Sequence, residues 1–305
     1  MRRIALPNNR KVRAGLGIVA FFALVAAFGP VVVTHVLHQS ASAVNQAEQL
    51  QAPSGRHLLG TTQTGEDVLA QLMVGTRTSL LIGLVAGTIA TVLGVVLGVT
   101  SAYVGGKLDA LLTVFTNVFL VLPGLPLLII VASYLKGRGG WFLVALIIGL
   151  TGWAGAARVK RAQALSLRRR EFVTAAEMAG ERPMRIIVSE LVPHLAPLIS
   201  STFVFSVVGG IFAEAGLDFI GAGNVNSVSW GTMLYWSQAE GALTTGAWWW
   251  FIPPGACIAL VGFAAGLINF GIDEISDPRH RAVVRRKRRR IIRPVRRIES
   301  VEVGS

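Results

Sequence analysis

Six separate stretches of the sequence are long enough, apolar enough and poor enough in charge to cross a lipid bilayer. A transmembrane α-helix needs about 20 predominantly apolar residues, and inside a bilayer only helices or closed barrels satisfy every backbone polar group. The sequence therefore predicts an all-α, polytopic membrane protein with six transmembrane helices. The predicted spans are residues 14–37, 78–103, 110–135, 141–157, 195–215 and 248–270.

Composition supports a chain embedded in a membrane. Charged residues make up only 15% of the 305 residues and hydrophobic residues 52%, whereas a typical soluble domain has about 25% charged residues. The net charge of +13 would suit a nucleic-acid-binding protein, but such a protein has no use for several uncharged stretches of this length. The single cysteine, Cys257, excludes a disulfide within the chain, and the five histidines show no metal-binding spacing. We expect no nucleic-acid partner, no metal and no cofactor.

Lysine and arginine residues are distributed unevenly over the connections between the spans. If the N-terminus is cytoplasmic, 25 of the 29 lie on the cytoplasmic side, which is the positive-inside distribution. This orientation places residues 1–13 and the basic tail 271–305 in the cytoplasm and residues 38–77 outside it. The stretch 14–37 exceeds the about 7–15 apolar residues of a signal-peptide core, so we interpret it as an uncleaved anchor helix. Residues 78–270 then form a five-helix core.

The sequence lacks the ionisable groups and the phosphate-binding loop with which the chain could drive transport by itself. The predicted spans contain no Asp, Glu, Lys or Arg apart from Glu214 at the outer end of the fifth span, whereas ion-coupled transporters usually keep ionisable groups at membrane depth. The stretch around Lys107 lacks the spacing and the Ser or Thr of a phosphate-binding loop. We therefore expect no enzymatic activity and an energy source in a partner protein. A self-sufficient membrane channel is the alternative from another class, which these absences disfavour.

The longest cytoplasmic connection, residues 158–194, contains two predicted surface helices. Residues 171–179 are compatible with a helix, and Gly180 after them is typical of a helix C-terminus. Pro183 is a favoured first-turn residue of a second helix, and we expect Pro193 to end or bend that helix.

This connection resembles the coupling loop of binding-protein-dependent ABC importer permeases. The match is a pair of small alanines, three intervening residues, a glycine and a proline thirteen residues later. Thr174 stands where the family usually has Glu, so a polar contact with the ATPase is lost or shifts to Glu171 or Glu177. The residues that the resemblance assigns to the ATPase-coupling loop are Glu171, Thr174, Ala175, Ala176, Glu177, Gly180 and Pro193.

Further segments extend the resemblance over nearly the whole chain, to the C-type permease subunits of dipeptide and oligopeptide importers. These segments follow the family's order and begin at His57, Arg77, Glu214, Pro253 and Asp277. The resemblance implies the type I ABC importer permease fold, in the bacterial cell (inner) membrane. It implies that a second, homologous permease subunit completes the translocation path, that P-loop ATPase subunits bind the ATP, and that an extracytoplasmic solute-binding protein delivers the substrate.

Two segments are candidates for the transport path itself. Pro123 and Pro126 remove backbone donors near the middle of the third span, which predicts either a pore-lining bend or a packing irregularity. The outer segment 217–246 either gates the pore or contacts the binding protein, or it is an interfacial flap without specific contacts. Its aromatic and amide side chains would suit a peptide or a cello-oligosaccharide-like solute, and they include Asn224, Trp230, Tyr235 and Trp236.

Two features concern packing and lipid contact. Four glycines of the second span lie on one helical stripe, which predicts close approach by neighbouring helices; they are Gly83, Gly87, Gly94 and Gly98. The arginine-rich tail would attract anionic membrane lipids by about 1 kcal/mol per basic residue near the surface.

Overall fold

The computed structural model describes residues 10–134 and 140–276. Within these ranges the regular structure is helical, with one isolated bridge between Thr61 and Asp67. Five helical segments are long and apolar enough to cross a membrane, and the bent pair Gly106–Val121 and Gly124–Tyr134 makes a sixth if it is counted as one span. The helices are α1 (Arg10–His35), α2 (Val68–Val104), α3 (Gly106–Val121), α4 (Gly124–Tyr134), α5 (Gly140–Arg168), α6 (Glu171–Met178), α7 (Pro183–Arg185), α8 (Val192–Phe219), α9 (Trp230–Ala239) and α10 (Trp248–Ser276).

Helix α2 is the centre of the fold. Its 37 residues extend over about 55 Å at about 1.5 Å per residue, and it packs mainly against α5 and α8. The helix begins after Asp67, whose carboxylate accepts the Ala70 N–H at 2.7 Å. Our predicted start at residue 78 is too late, because the first turns carry polar residues that make contacts outside the apolar run. The end of α2 near Asp67 and the end near Val104 are called the outer and the inner end of the molecule.

The glycine stripe of α2 brings neighbouring backbones close, as its spacing predicts. Gly83 and Gly87 face α8: a Cβ on Gly87 would lie 2.6 Å from the backbone nitrogen of Val207. Gly98 faces α5, where a Cβ would collide with the Ala157 carbonyl oxygen. Larger residues at these positions would push both neighbouring helices away from α2.

The third span is broken where the prolines predict it. Helix α3 ends at Val121, α4 begins at Gly124, and the two helices meet at an angle of 88°. Pro123 lies in the break, and Pro126 lies in the first turn of α4, where a backbone donor has no helical partner in any case.

Two boundaries of the coupling segment differ from the prediction. Residues 158–168 continue helix α5, so they are not loop. Pro193 does not end the second helix, because the helical segment runs without a break over Pro183–Phe219. A π-helical turn, Ile186–Leu191, precedes the proline. Its wider winding accommodates the ring of Pro193, which has no backbone N–H to donate to the preceding turn.

Charged residues do occur within the long helices, because the helices extend beyond the apolar runs. The Arg161 guanidinium donates two hydrogen bonds of 2.7 Å to the carboxylate of Asp109. Lys160 is fully buried, and its Nζ lies 3.5 Å from the Ala156 carbonyl oxygen. The expectation of uncharged spans therefore holds for the apolar runs and is wrong for the helices that contain them.

The segment ahead of α2 is anchored to the outer end of the molecule by a buried histidine. The Nδ1 atom of His57 lies 2.9 Å from an Asp67 oxygen, and its Nε2 atom lies 3.3 Å from an oxygen of Glu48. Arg56 forms an ion pair of 2.6 Å with the same Glu48 side chain. Across the described residues, no group of three or more His, Cys, Asp or Glu side chains is arranged to hold a metal ion.

Candidate coupling surface and transport path

The turn between α6 and α7 is closed by a helix-capping motif that favours glycine. The Gly180 N–H donates to the Glu177 carbonyl oxygen at 3.0 Å, and the Glu181 N–H donates to the Ala176 carbonyl oxygen at 3.1 Å. This is the Schellman pattern, in which the residue after the helix adopts a left-handed conformation. Gly180 has φ 75°, and a Cβ there would meet nothing within 4 Å. The predicted helix end at Gly180 and the predicted start at Pro183 are both confirmed.

One side of α6 is packed firmly against the transmembrane helices. Val173 is fully buried in a cluster that also contains Val99 of α2 and Leu191 of the π-helical turn. The Phe172 ring stacks on the His194 ring with 4.4 Å between centroids. Helix α6 is thereby fixed to α2 and to the start of α8, so that a displacement of α6 acts directly on both helices.

Several apolar side chains of α6, α7 and the π-helical turn are exposed. Met178 is 84% exposed, Met184 70% and Val188 56%. Exposed apolar side chains within one short connection suit a protein-binding surface, and methionine adapts to irregular partner surfaces. We call this the coupling surface and define it as Ala175, Met178, Ala179, Met184 and Val188.

The acidic residues of α6 have different surroundings. The Glu177 carboxylate lies near the Tyr103 side chain at the inner end of α2, and the Arg168 guanidinium lies 5.7 Å from the centre of the same ring. Thr174 and Glu171 are exposed. Glu177 is exposed as well, so both positions to which the polar contact of the family could shift are accessible to a partner.

A cavity of about 460 Å³ lies against the four core helices α2, α4, α5 and α8. The break in the third span places Gly124 and Leu128 in its wall, opposite Thr151 and Ser206. Its wall contains no charged residue, and hydroxyl groups are its main polar feature. The exposed Gly209 lines the same cavity and has open space in front of its backbone. This concave surface is the candidate for one side of a transport path.

The aromatic residues expected at an outer gate are in different environments. Trp236 is 40% exposed, and its Nε1–H donates to the Val225 carbonyl oxygen at 3.1 Å. Asn224 and Tyr235 are half-buried beside it. Trp230, in contrast, is fully buried: its Nε1–H donates to the Thr76 hydroxyl at 3.2 Å. The expectation that Trp230 contacts a binding protein is therefore wrong in this structure, because the residue belongs to the core.

A buried polar network that the sequence analysis did not assign fixes the start of α9. The Ser79 hydroxyl donates to Glu214 at 3.3 Å and accepts the Trp230 N–H at 3.1 Å. The Ser229 hydroxyl donates to Asp218 at 2.8 Å and caps α9. In the sequence, the segment beginning at Glu214 is marked only by the family resemblance, whereas Ser229 before an apolar helix is a capping signal that points to this network.

Comparison with known proteins supports the resemblance. Residues 90–282 match the family described as binding-protein-dependent transport system inner membrane component. The chain is 34% identical over 279 residues to the dipeptide transport system permease protein DppC of Bacillus subtilis, covering 90% of this chain and 84% of that protein. It is 34% identical to the oligopeptide transport system permease protein OppC of Mycobacterium tuberculosis, covering 77% of this chain and 80% of that protein. With the OppC protein of Bacillus subtilis the identity is 30%, covering 90% and 87%.

Proposed function

Because the chain belongs to the family of binding-protein-dependent transport system inner membrane components, we propose that it forms one half of the translocation path of an ATP-driven peptide importer. The relatives described above are named for dipeptide or oligopeptide transport, which favours peptides over the oligosaccharide alternative. The observation that carries the proposal is the position of helix α6. One of its sides carries part of the exposed coupling surface, and its other side packs against the core helices.

The coupling surface binds one P-loop ATPase subunit. Closure of the ATPase pair on ATP displaces α6 and α7, and the buried contacts of Val173 carry that displacement into α2. Since the helical segment Pro183–Phe219 is continuous, the same displacement passes along α8 to the outer end of the molecule. Transport is thus coupled to hydrolysis through a rigid element with two positions. The ATP is bound and hydrolysed by the partner subunits, and the chain requires no cofactor of its own.

A second, homologous permease covers the concave surface at Gly209 and completes the path. The solute-binding protein releases its substrate at the outer end, where Trp236 is exposed and Asn224 is half-buried. Both termini lie in the cytoplasm, on the same side as the coupling surface, an orientation that the distribution of 25 of 29 basic residues supports. The importer lies in the bacterial inner membrane, where the basic tail contacts anionic lipids.

The proposal is tested by purifying the full-length chain with a tag from native membranes under mild conditions. We expect P-loop ATPases and a second six-span permease to co-purify, and ATP-dependent uptake of a labelled dipeptide after reconstitution with the binding protein. A labelled cello-oligosaccharide in parallel distinguishes the two substrate classes. A chain that is recovered alone, and stays alone after crosslinking, would contradict the proposal and support a self-sufficient channel.

A further inference from the structure

A buried histidine at the outer end of the molecule lies between two carboxylates. The side chain of His57 is only 2% exposed. Its Nδ1 atom lies 2.9 Å from Oδ2 of Asp67, which caps α2, and its Nε2 atom lies 3.3 Å from Oε2 of Glu48. The contact with Glu48 is an ion pair outside hydrogen-bonding geometry. Each ring nitrogen therefore faces a carboxylate oxygen.

The protonation state of His57 decides whether both of these contacts attract. A neutral imidazole has an N–H on one nitrogen and a lone pair on the other. Whichever nitrogen lacks the proton then directs its lone pair at a carboxylate oxygen, and that contact becomes repulsive. The imidazolium form carries a positive charge and an N–H on both nitrogens, so it attracts both carboxylates. The geometry around the ring fits the charged form.

The charges around His57 favour the same form. Among the described residues, the charged side chains that face the ring are those of Glu48 and Asp67. Arg56 pairs with Glu48 at 2.6 Å, but its own side chain is 74% exposed. Asp67 is 5% exposed and forms no other ion pair with a described residue, and neither α9 nor the first turns of α10 carry a charged residue. Loss of the His57 proton would leave the Asp67 carboxylate buried without a cation, which is unfavourable.

The contact with His57 holds a segment that packs on the outer ends of three helices. We call residues 46–67 the leading segment; it runs from the turn at Glu48 to the cap of α2. Leu59 of this segment packs against a buried cluster to which α2, α9 and α10 contribute Val68, Met233 and Trp250. A change in the attachment of the leading segment therefore acts on all three helix ends.

We propose that His57 is a pH-sensitive clamp. As an imidazolium it holds the leading segment between Glu48 and Asp67, and loss of its proton at alkaline pH releases the segment from the start of α2. The proposed function places this end outside the cytoplasm, so the clamp responds to the external pH. The clamp itself depends on the three side chains and not on what is transported.

The test measures hydrogen–deuterium exchange of the leading segment in the full-length chain in lipid nanodiscs. The two conditions are about pH 6 and about pH 9, on either side of the range in which histidine loses its proton. Exchange is expressed as a protection factor, because the intrinsic exchange rate itself rises with pH. We expect the protection of residues 46–67 to fall about 10- to 100-fold at the higher pH, which corresponds to the loss of one hydrogen bond to a charged group.

A spectroscopic measurement on the same preparation reports the proton itself. The chain is labelled with ¹⁵N-histidine, and the His57 signals in the solid-state NMR spectrum are identified as those that His57→Gln removes. We expect these signals to change from the doubly to the singly protonated ring as protection is lost.

Two variants distinguish a clamp from a residue that only fills space. Glu48→Gln should keep the segment protected at the higher pH, because the amide can donate to the unprotonated ring nitrogen. His57→Gln should lower protection at both pH values and make it independent of pH. The control is His38→Asn, since His38 is exposed at the same end, forms no ion pair with a described residue, and has a φ of 52° that asparagine adopts readily. Its pH response should equal that of the unmodified chain.

Three outcomes would overturn the inference. They are equal protection at the two pH values, a pH response that persists in His57→Gln, and a neutral His57 ring at about pH 6. ATP-dependent dipeptide uptake is measured separately on the reconstituted transporter. Absence of uptake together with an intact pH response of the segment would contradict the proposed function and leave the clamp in place.

Discussion

Replacement of Gly180 tests the coupling mechanism at a position whose backbone conformation favours glycine. Gly180 has φ 75°, and a residue with a Cβ pays about 1–2 kcal/mol to adopt that conformation. A Cβ would meet no atom within 4 Å, so Gly180→Val acts through the backbone of the turn and not through a collision. A cost of about 1–2 kcal/mol lowers the population of the correctly folded turn about 5- to 30-fold relative to its alternatives.

We expect Gly180→Val to reduce ATP-dependent peptide uptake by about that factor while the protein still inserts and the complex still hydrolyses ATP. Gly180→Asn should retain most of the uptake, because asparagine adopts the left-handed conformation at lower cost. Gly17→Val is the matched control, since Gly17 lies in α1 with nothing within 4 Å and an ordinary φ. Uptake and hydrolysis are measured on the same proteoliposomes. Unchanged uptake in Gly180→Val, or equal losses in the valine and asparagine variants, would refute the reasoning.

Three further predictions concern packing, each measured as thermal unfolding in detergent. Gly98→Ala should lower the free energy of unfolding by about 1–3 kcal/mol, because its Cβ would collide with a backbone oxygen of α5; Gly155→Ala, with open space around it, should have no such effect. Trp230→Ala should cost about 3–5 kcal/mol, as for other buried aromatic residues, and Trp236→Ala less than half of that. Thr76→Val should cost about 1–3 kcal/mol by leaving the buried indole N–H without its acceptor.

Features that depend on local chemistry could be predicted from the sequence. The apolar runs, the break at Pro123 and the helix end at Gly180 follow from what each residue type permits in its own turn of the chain. The spacing of the glycines in α2 likewise predicts which face of that helix its neighbours approach. The assignment of the coupling segment used the same kind of information, a short pattern of small residues and prolines.

Features that depend on distant contacts could not be predicted in this way. Helix α2 starts early because Gln71 and Thr76 pair with side chains of other segments, and their polarity hides the helix from a hydropathy pattern. Trp230 is in the core because Phe22 of α1 packs against it, with ring centroids 5.5 Å apart. The helix continues past Pro193 because a π-helical turn is packed into the core ahead of it. Apart from the bond between Gln71 and Glu66, these contacts join residues that are far apart in the sequence.

The most direct test of the central claim is site-directed crosslinking of the two ends of the molecule in the assembled transporter. In a Cys257→Ala background, Met178→Cys places a thiol on the coupling surface, and Leu243→Cys places one at the outer end; the native side chains are 84% and 66% exposed. We predict that Met178→Cys crosslinks to the ATPase subunit, that ATP changes the yield, and that Leu243→Cys crosslinks only to the solute-binding protein. An ATPase crosslink from Leu243→Cys, or none from Met178→Cys, would contradict the proposed coupling surface and its orientation.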